Sequence, residues 1–176
     1  KVSAVIAGGR ERYESVWTAL RAMAEGCLTK PNADGYAFIH DGARPFLTEA
    51  LLESTYQAAC RYRACVAAVP VKDTIKIADS QGFVAQTPDR RRLWAVQTPQ
   101  VFETALITEA YRELFARLEA GKPLSVTDDA MVVEEMYGIP VKLVEASYRN
   151  IKINTPEDIR TAEGLLQEEG FPEISK

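Results

Sequence analysis

Apolar runs of strand length alternate with helically spaced segments along almost the whole chain, and this alternation limits the fold more than any other feature. Val2–Ala7 is a short apolar run ending in Gly8-Gly9, the pattern of a strand entering a tight loop. Val16, Leu20 and Met23 then recur at helical spacing. Tyr36–His40 reads as a second buried strand, led in by the turn-rich Pro31-Asn32-Ala33-Asp34-Gly35. Thr48 caps a helix with Leu51, Leu52, Tyr56 and Ala59 along one side, and Cys65–Val71 is a third strand. Thr74–Ala78 and Phe83–Thr87 flank Asp79-Ser80-Gln81-Gly82, a β-hairpin set into the chain.

Helical spacing returns with Phe102, Leu106, Ala110, Leu114 and Leu118, and Gly121 supplies a stop. Gln97-Thr98-Pro99-Gln100, just before it, reads as loop. A further helix follows Thr127, then strands at Val141–Glu145 and Ile151–Asn154. Thr155-Pro156-Glu157-Asp158 opens the last helix with a hydroxyl cap, a proline at the first position and acids in the first turn. The expectation is an α/β fold: an open, mostly parallel sheet with helices on both faces and one inserted hairpin.

A length of 176 residues implies one domain, 1–176, with residues 74–87 as a projecting hairpin arm. The net charge of −4 argues against a nucleic-acid or membrane-surface binder, and no apolar run approaches the roughly 18 residues of a bilayer span. Cys27, Cys60 and Cys65 form no CxxC pair, and with a single histidine they cannot build a zinc site. A reduced, cytoplasmic setting is expected.

Four polar segments fall where an open sheet binds ligands, beyond the carboxyl ends of its strands. Gly8-Gly9-Arg10-Glu11-Arg12 suits either a plain tight turn or a backbone that lets a ligand approach a helix N-terminus. In His40-Asp41-Gly42-Ala43-Arg44-Pro45, Asp41 and Arg44 can serve a hydroxylated, phosphorylated ligand or simply pair with each other; His40 reads as a strand-end structural residue. Arg90-Arg91-Arg92, close to Lys72-Asp73-Thr74, is a solvated basic patch or a local focus for an anion. Thr127-Asp128-Asp129 can cap a helix or face a ligand. Lys152 lies between Ile151 and Ile153, so on a strand its ammonium points alone to one side and needs an anionic partner. The sequence shows no Ser-His-Asp set, cysteine–histidine pair or metal cage, which leaves phosphate chemistry run by positioning and charge.

Five segments, in order, resemble the 2-C-methyl-D-erythritol 4-phosphate cytidylyltransferase family: His40-Asp41-Gly42-Ala43-Arg44-Pro45-Phe46, Ala68 through Lys76, Leu93 through Phe102, Val126-Thr127-Asp128-Asp129-Ala130 and Asn150-Ile151-Lys152. The resemblance implies a Rossmann-like nucleotidyltransferase sheet and transfer of CMP from CTP to methylerythritol phosphate, with release of pyrophosphate in non-mevalonate isoprenoid synthesis. It implies a homodimer paired through the hairpin arm. Gly8, Gly9 and Ser15 would lie near the cytosine, and Asp41 and Arg44 at the nucleotide and sugar phosphate. Thr74, Thr98 and Thr127 would contact the polyol phosphate, and Arg90 and Lys152 would orient its phosphate. Mg²⁺ would be held mainly by the CTP phosphates.

The family also opens with a strand, a Gly-rich loop carrying an arginine, and a Pro-Lys-Gln segment, none of which is matched here. The expectation is therefore a chain lacking that leading part, with little activity as it stands. Two rival readings are a ribitol 5-phosphate cytidylyltransferase and a non-catalytic nucleotide-binding remnant.

Overall fold

A computed structural model describes residues 2–27, 34–122 and 124–168. Its main sheet has four strands, β1 (Tyr36–Ile39), β2 (Ala64–Pro70), β5 (Trp94–Glu103) and β6 (Lys142–Glu145), in the order β1-β5-β2-β6. β5 is antiparallel to both β1 and β2, while β2 and β6 are parallel. Three of the four strands thus run one way and the fourth, in the interior, runs against them, so the sheet is mostly but not purely parallel. β3 (Ile77–Ala78) and β4 (Val84–Gln86) pair antiparallel as a separate small ribbon, shorter than the hairpin expected from Thr74 to Thr87.

The pleat of β2 sends alternate residues into two cores. Ala64 and Val66 pack with Leu20 of α1 (Arg12–Ala24), with Leu106, Ile107, Ala110, Tyr111 and Leu114 of α3 (Thr104–Glu119), and with Val132 and Val133 of α4 (Asp129–Tyr137). Cys65 faces the other way, against Ala59 of α2 (Glu49–Tyr62). Burial there pushes its thiol pKa up to about 12. Helices therefore cover both faces, as the alternation of segments predicts. Thr48 caps α2 by accepting from the Leu51 amide, and Gly121 follows α3 at φ 70°, a conformation that glycine adopts without strain. Residues 155–158 open α5 (Pro156–Glu168) as expected: Asp158 Oδ2 accepts from the amides of Asn154 and Thr155, which holds the Asp158 carboxyl below its usual range.

Four expectations are corrected. Val2–Ala7 is no strand; it runs exposed because no described strand lies beside it to pair with. Ile151–Asn154 is extended but joins no ladder, tied to the chain by the Ile153 amide donating to the Ala43 carbonyl at 2.8 Å. Gln97-Thr98-Pro99-Gln100 is not loop but the buried middle of β5, and Phe102 belongs to that strand, with the helix starting two residues later. The proline fits because the ladder breaks at that point. Val66 pairs with Gln100 and Ala68 with Val96, so one residue of β2 faces three of β5 and no amide is required of Pro99. Part of the expected turn before β1, Pro31–Ala33, lies outside the described residues.

Candidate active site

β1, β2 and β6 point the same way, so their carboxyl ends share one edge of the sheet, and the amino end of β5 joins them there. A cleft of about 450 Å³ lies at the far end of α2; the polar cleft, about 380 Å³, is lined by Arg12, Asp41, Arg44, Gln97, Thr98, Gln100, Thr127, Asp128 and Lys152. Asp41, Arg44, Thr98, Thr127 and Lys152, distant in sequence, are thus brought together as expected.

Asp41 is the electrostatic centre. Its Oδ2 lies 2.8 Å from Lys152 Nζ and 3.9 Å from Arg44 Nε, and its Oδ1 lies 3.7 Å from Arg12 Nε. Burial alone would raise the Asp41 pKa, but the Lys152 hydrogen bond and the charges of Lys152, Arg12 and Arg44 outweigh it and hold the carboxyl below its usual range. Asp41 thereby supplies the anionic partner that the lysine requires. The Asp41 amide donates to Thr98 Oγ1 at 3.1 Å, and Thr98 Oγ1 lies 3.0 Å from His40 Nδ1. His40 Nε2 is 2.9 Å from the Arg44 carbonyl, so Nε2 carries the hydrogen and Nδ1 accepts from the threonine hydroxyl. Both ring nitrogens serve the loop, in line with the structural reading of His40.

Arg44 NH1 donates to the Asn150 carbonyl at 2.7 Å, while its buried Nε finds no hydrogen-bond acceptor among the described residues. A guanidinium N–H left unmatched in the wall of a cleft is suited to an anionic ligand. Gln100 joins β5 to the start of α4: its Nε2 donates to Asp128 Oδ2, and its Oε1 accepts from the amides of Asp129 and Ala130. Asp128 also caps α4 through the Met131 amide. These contacts fix the start of α4, and with it Thr127.

Asp129 is fully buried. Arg12 donates to both of its oxygens, at 3.0 and 2.6 Å, and the Tyr111 hydroxyl donates at 2.5 Å. Burial together with the Asp129 charge drives the Tyr111 pKa far up. For Arg12, burial is the largest influence and works to lower the pKa, but the Asp129 hydrogen bond and the negative charges of Asp129, Tyr111 and Asp41 together outweigh it, and the guanidinium is held charged. Arg12, Gln97, Gln100 and Asp128 were not among the expected site residues. Arg12 and Asp128 sat inside segments singled out for their polarity; the glutamines gave no signal, because an apparent loop hid a strand.

The remaining expected residues lie outside this cleft within one chain. Gly8, Gly9 and Ser15 form a turn at the start of α1, where the Gly9 amide donates to Ser15 Oγ at 2.9 Å. A Cβ on Gly9 would come within 2.3 Å of Glu14 Cβ and 3.2 Å of the Glu14 main chain, so glycine is required there by close approach, whereas one on Gly8 would meet only the Ser15 hydroxyl, at 2.8 Å, which can turn aside. Thr74 and Arg90 are exposed at the base of the hairpin, where Arg90 NH1 donates to the Lys72 carbonyl at 2.7 Å.

The sequence profile of the 2-C-methyl-D-erythritol 4-phosphate cytidylyltransferase family matches residues 1–168. The curated enzyme of that name from Lachnospira eligens is 46% identical over 162 residues, covering 92% of this chain and 66% of the relative. The one from Caldanaerobacter subterraneus is 47% identical over 163 residues, covering 93% and 66%. The chain thus spans just under two thirds of the length of these relatives. Among solved structures, the 4-diphosphocytidyl-2C-methyl-D-erythritol synthase of Anaerococcus prevotii superposes with a TM-score of 0.78 at 34% identity, over 92% of this chain and 66% of that one. The 2-C-methyl-D-erythritol 4-phosphate cytidylyltransferase of Thermus thermophilus gives 0.74 at 34%, over 92% and 72%.

Fold and cleft together define an α/β domain of the nucleotidyltransferase type. More narrowly, the chain belongs to the 2-C-methyl-D-erythritol 4-phosphate cytidylyltransferase family.

Proposed function

We propose that the protein transfers CMP from CTP to 2-C-methyl-D-erythritol 4-phosphate, a step in non-mevalonate isoprenoid precursor synthesis. A phosphate oxygen of the polyol phosphate attacks the α-phosphorus of CTP; the new O–P bond forms as the bond to the β-phosphate oxygen breaks, and pyrophosphate leaves with the electron pair. The observation that carries this reading is the convergence of Asp41, Arg44, Thr98, Thr127 and Lys152 on one cleft in a chain of this family. In it, Lys152 exchanges its contact with Asp41 for the polyol phosphate and orients it for attack. Asp41 then accepts from ligand hydroxyls, and the Arg44 guanidinium adds positive charge to the wall that faces the phosphate. Gly8, Gly9 and Ser15 stand on the cytosine side.

The donor set is compatible with Mg²⁺ only as a companion of the triphosphate. Asp41 and Asp128 are the carboxylates lining the cleft, and no cluster of three metal-ligating side chains occurs among the described residues. When bound, the ion neutralises triphosphate charge, and Asp41 is the residue positioned to join its shell.

A homodimer built through the hairpin is part of the same reading. Ile75, Ile77, Phe83 and Val84 are exposed on that arm, an apolar set that a second subunit would cover. Pairing would carry Thr74 and Arg90 towards the partner's polyol-phosphate site. A cytoplasmic setting fits cysteines that are all free, and no described helix is long and apolar enough to cross a membrane.

Pyrophosphate release by the whole protein, measured with CTP and each polyol phosphate separately, tests the assignment. Release with methylerythritol phosphate alone is expected. Release only with ribitol 5-phosphate would move the protein to that specificity, and release with neither would leave a nucleotide-binding remnant.

A further inference from the structure

Asn150 is 1% exposed and does not line the polar cleft, yet it is bonded to three residues that do. Its Nδ2 donates to Gln97 Oε1 at 2.9 Å and to the Thr98 carbonyl at 2.8 Å, and its own carbonyl accepts from Arg44 NH1 at 2.7 Å. Two residues further on stands Lys152, and the next residue is pinned to Ala43 through its amide. The segment that presents Lys152 belongs to no ladder, so these side-chain and main-chain anchors fix its position where strand pairing does not. Asn150 Oδ1 is buried without a hydrogen-bond partner among the described residues. If the position served packing alone, an apolar side chain of similar size would fill it without that cost; the amide is retained for its two donated bonds.

We propose that Asn150 is a positioning residue for the transfer reaction: its side chain ties the Lys152 segment to Gln97 and Thr98 in the bulged stretch of β5, and so sets the lysine ammonium against the phosphate. This rests on the cytidylyltransfer reading above. Because Asn150 acts through Lys152, its loss should matter little once Lys152 is gone.

The test is a double-mutant cycle in the whole protein, with kcat read from pyrophosphate release. Lys152→Met comes first. If it leaves kcat unchanged, the assignment of the cleft itself fails. If it cuts kcat, Asn150→Ala is expected to lower kcat by on the order of tenfold to a hundredfold, as misplacement of a catalytic group does. The double variant should then be no slower than Lys152→Met alone. A double variant whose loss is the product of the two single losses would overturn the inference while leaving the function standing.

Should Asn150→Ala fail to fold, Asn150→Asp serves. A carboxylate oxygen would then face Gln97 Oε1 and the Thr98 carbonyl; only the protonated acid can donate, and its single O–H restores one of the two bonds. Its kcat relative to the parent is expected to recover as pH is lowered, and a ratio independent of pH would count against the proposal.

Discussion

At Asp41 three cations meet one carboxylate, and the balance decides how the protein responds to acid. With its pKa held below the ordinary value, Asp41 stays ionised in the folded state after its unfolded counterpart has begun to take up a proton. Its contribution is therefore fully present above the unfolded value of about 4 and is lost as pH falls through the folded one. Denaturant unfolding between pH 7 and pH 3 should show stability declining over the acid range, with a smaller decline in Asp41→Asn. Equal slopes would mean that the cluster does not hold the carboxylate charged.

The burial of Asp129 gives a second residue-scale prediction. Asp129→Ala leaves Tyr111 and Arg12 without their acceptor, a break that costs about 3–5 kcal/mol for a buried pair. Arg12 is 37% exposed and recovers part of its hydration, so the lower end of that range is expected in urea titrations. The sequence offered Asp129 as either a cap or a ligand; in the structure Asp128 is the cap and Asp129 a buried counter-ion, a division that needs Tyr111 and Arg12, 18 and 117 positions away, to be seen.

Among the elements, helices announced themselves and the central strand did not. α5 was legible because Thr155 and Asp158 make local bonds that a four-residue window contains. β5 was not, because its buried polar residues Gln97, Thr98 and Gln100 face groups brought in from 40, 128–130 and 150, and its proline sits in a bulge that only the partner strand defines. For the same reason Val2–Ala7 misled: apolarity marks a strand only where a neighbour pairs with it. Lys152 has in Asp41 the anion that its isolated charge requires, but its side-chain direction comes from the anchors at 150 and 153 rather than from a pleat. Gln100→Leu should unfasten the start of α4 and Asp128 together, raising KM for the polyol phosphate more than it lowers the melting temperature. A change in melting temperature with KM unaltered would show that Thr127 does not depend on that bridge.

For the whole molecule, the arrangement of α/β layers follows from the alternation of segments, whereas the role proposed for the arm calls for a second subunit. Arg90 and Lys152 are expected to meet only across a dimer. Mixing inactive Arg90→Ala and Lys152→Met proteins, with subunits allowed to exchange, should regain activity, since one site of each hybrid then holds both residues intact. No regain in confirmed hybrids would mean that the two act from the same chain or not together.

In the reaction proposed here, a substrate phosphate displaces Asp41 from the lysine it holds in the cleft. The most direct measurement is kcat for Lys152→Met in the whole protein, taken beside its melting temperature. A drop on the order of 10²–10³ in kcat is predicted, as for the loss of one transition-state donor, with the melting temperature close to the parent's. Undiminished turnover, or activity and melting temperature that fall in step, would contradict it.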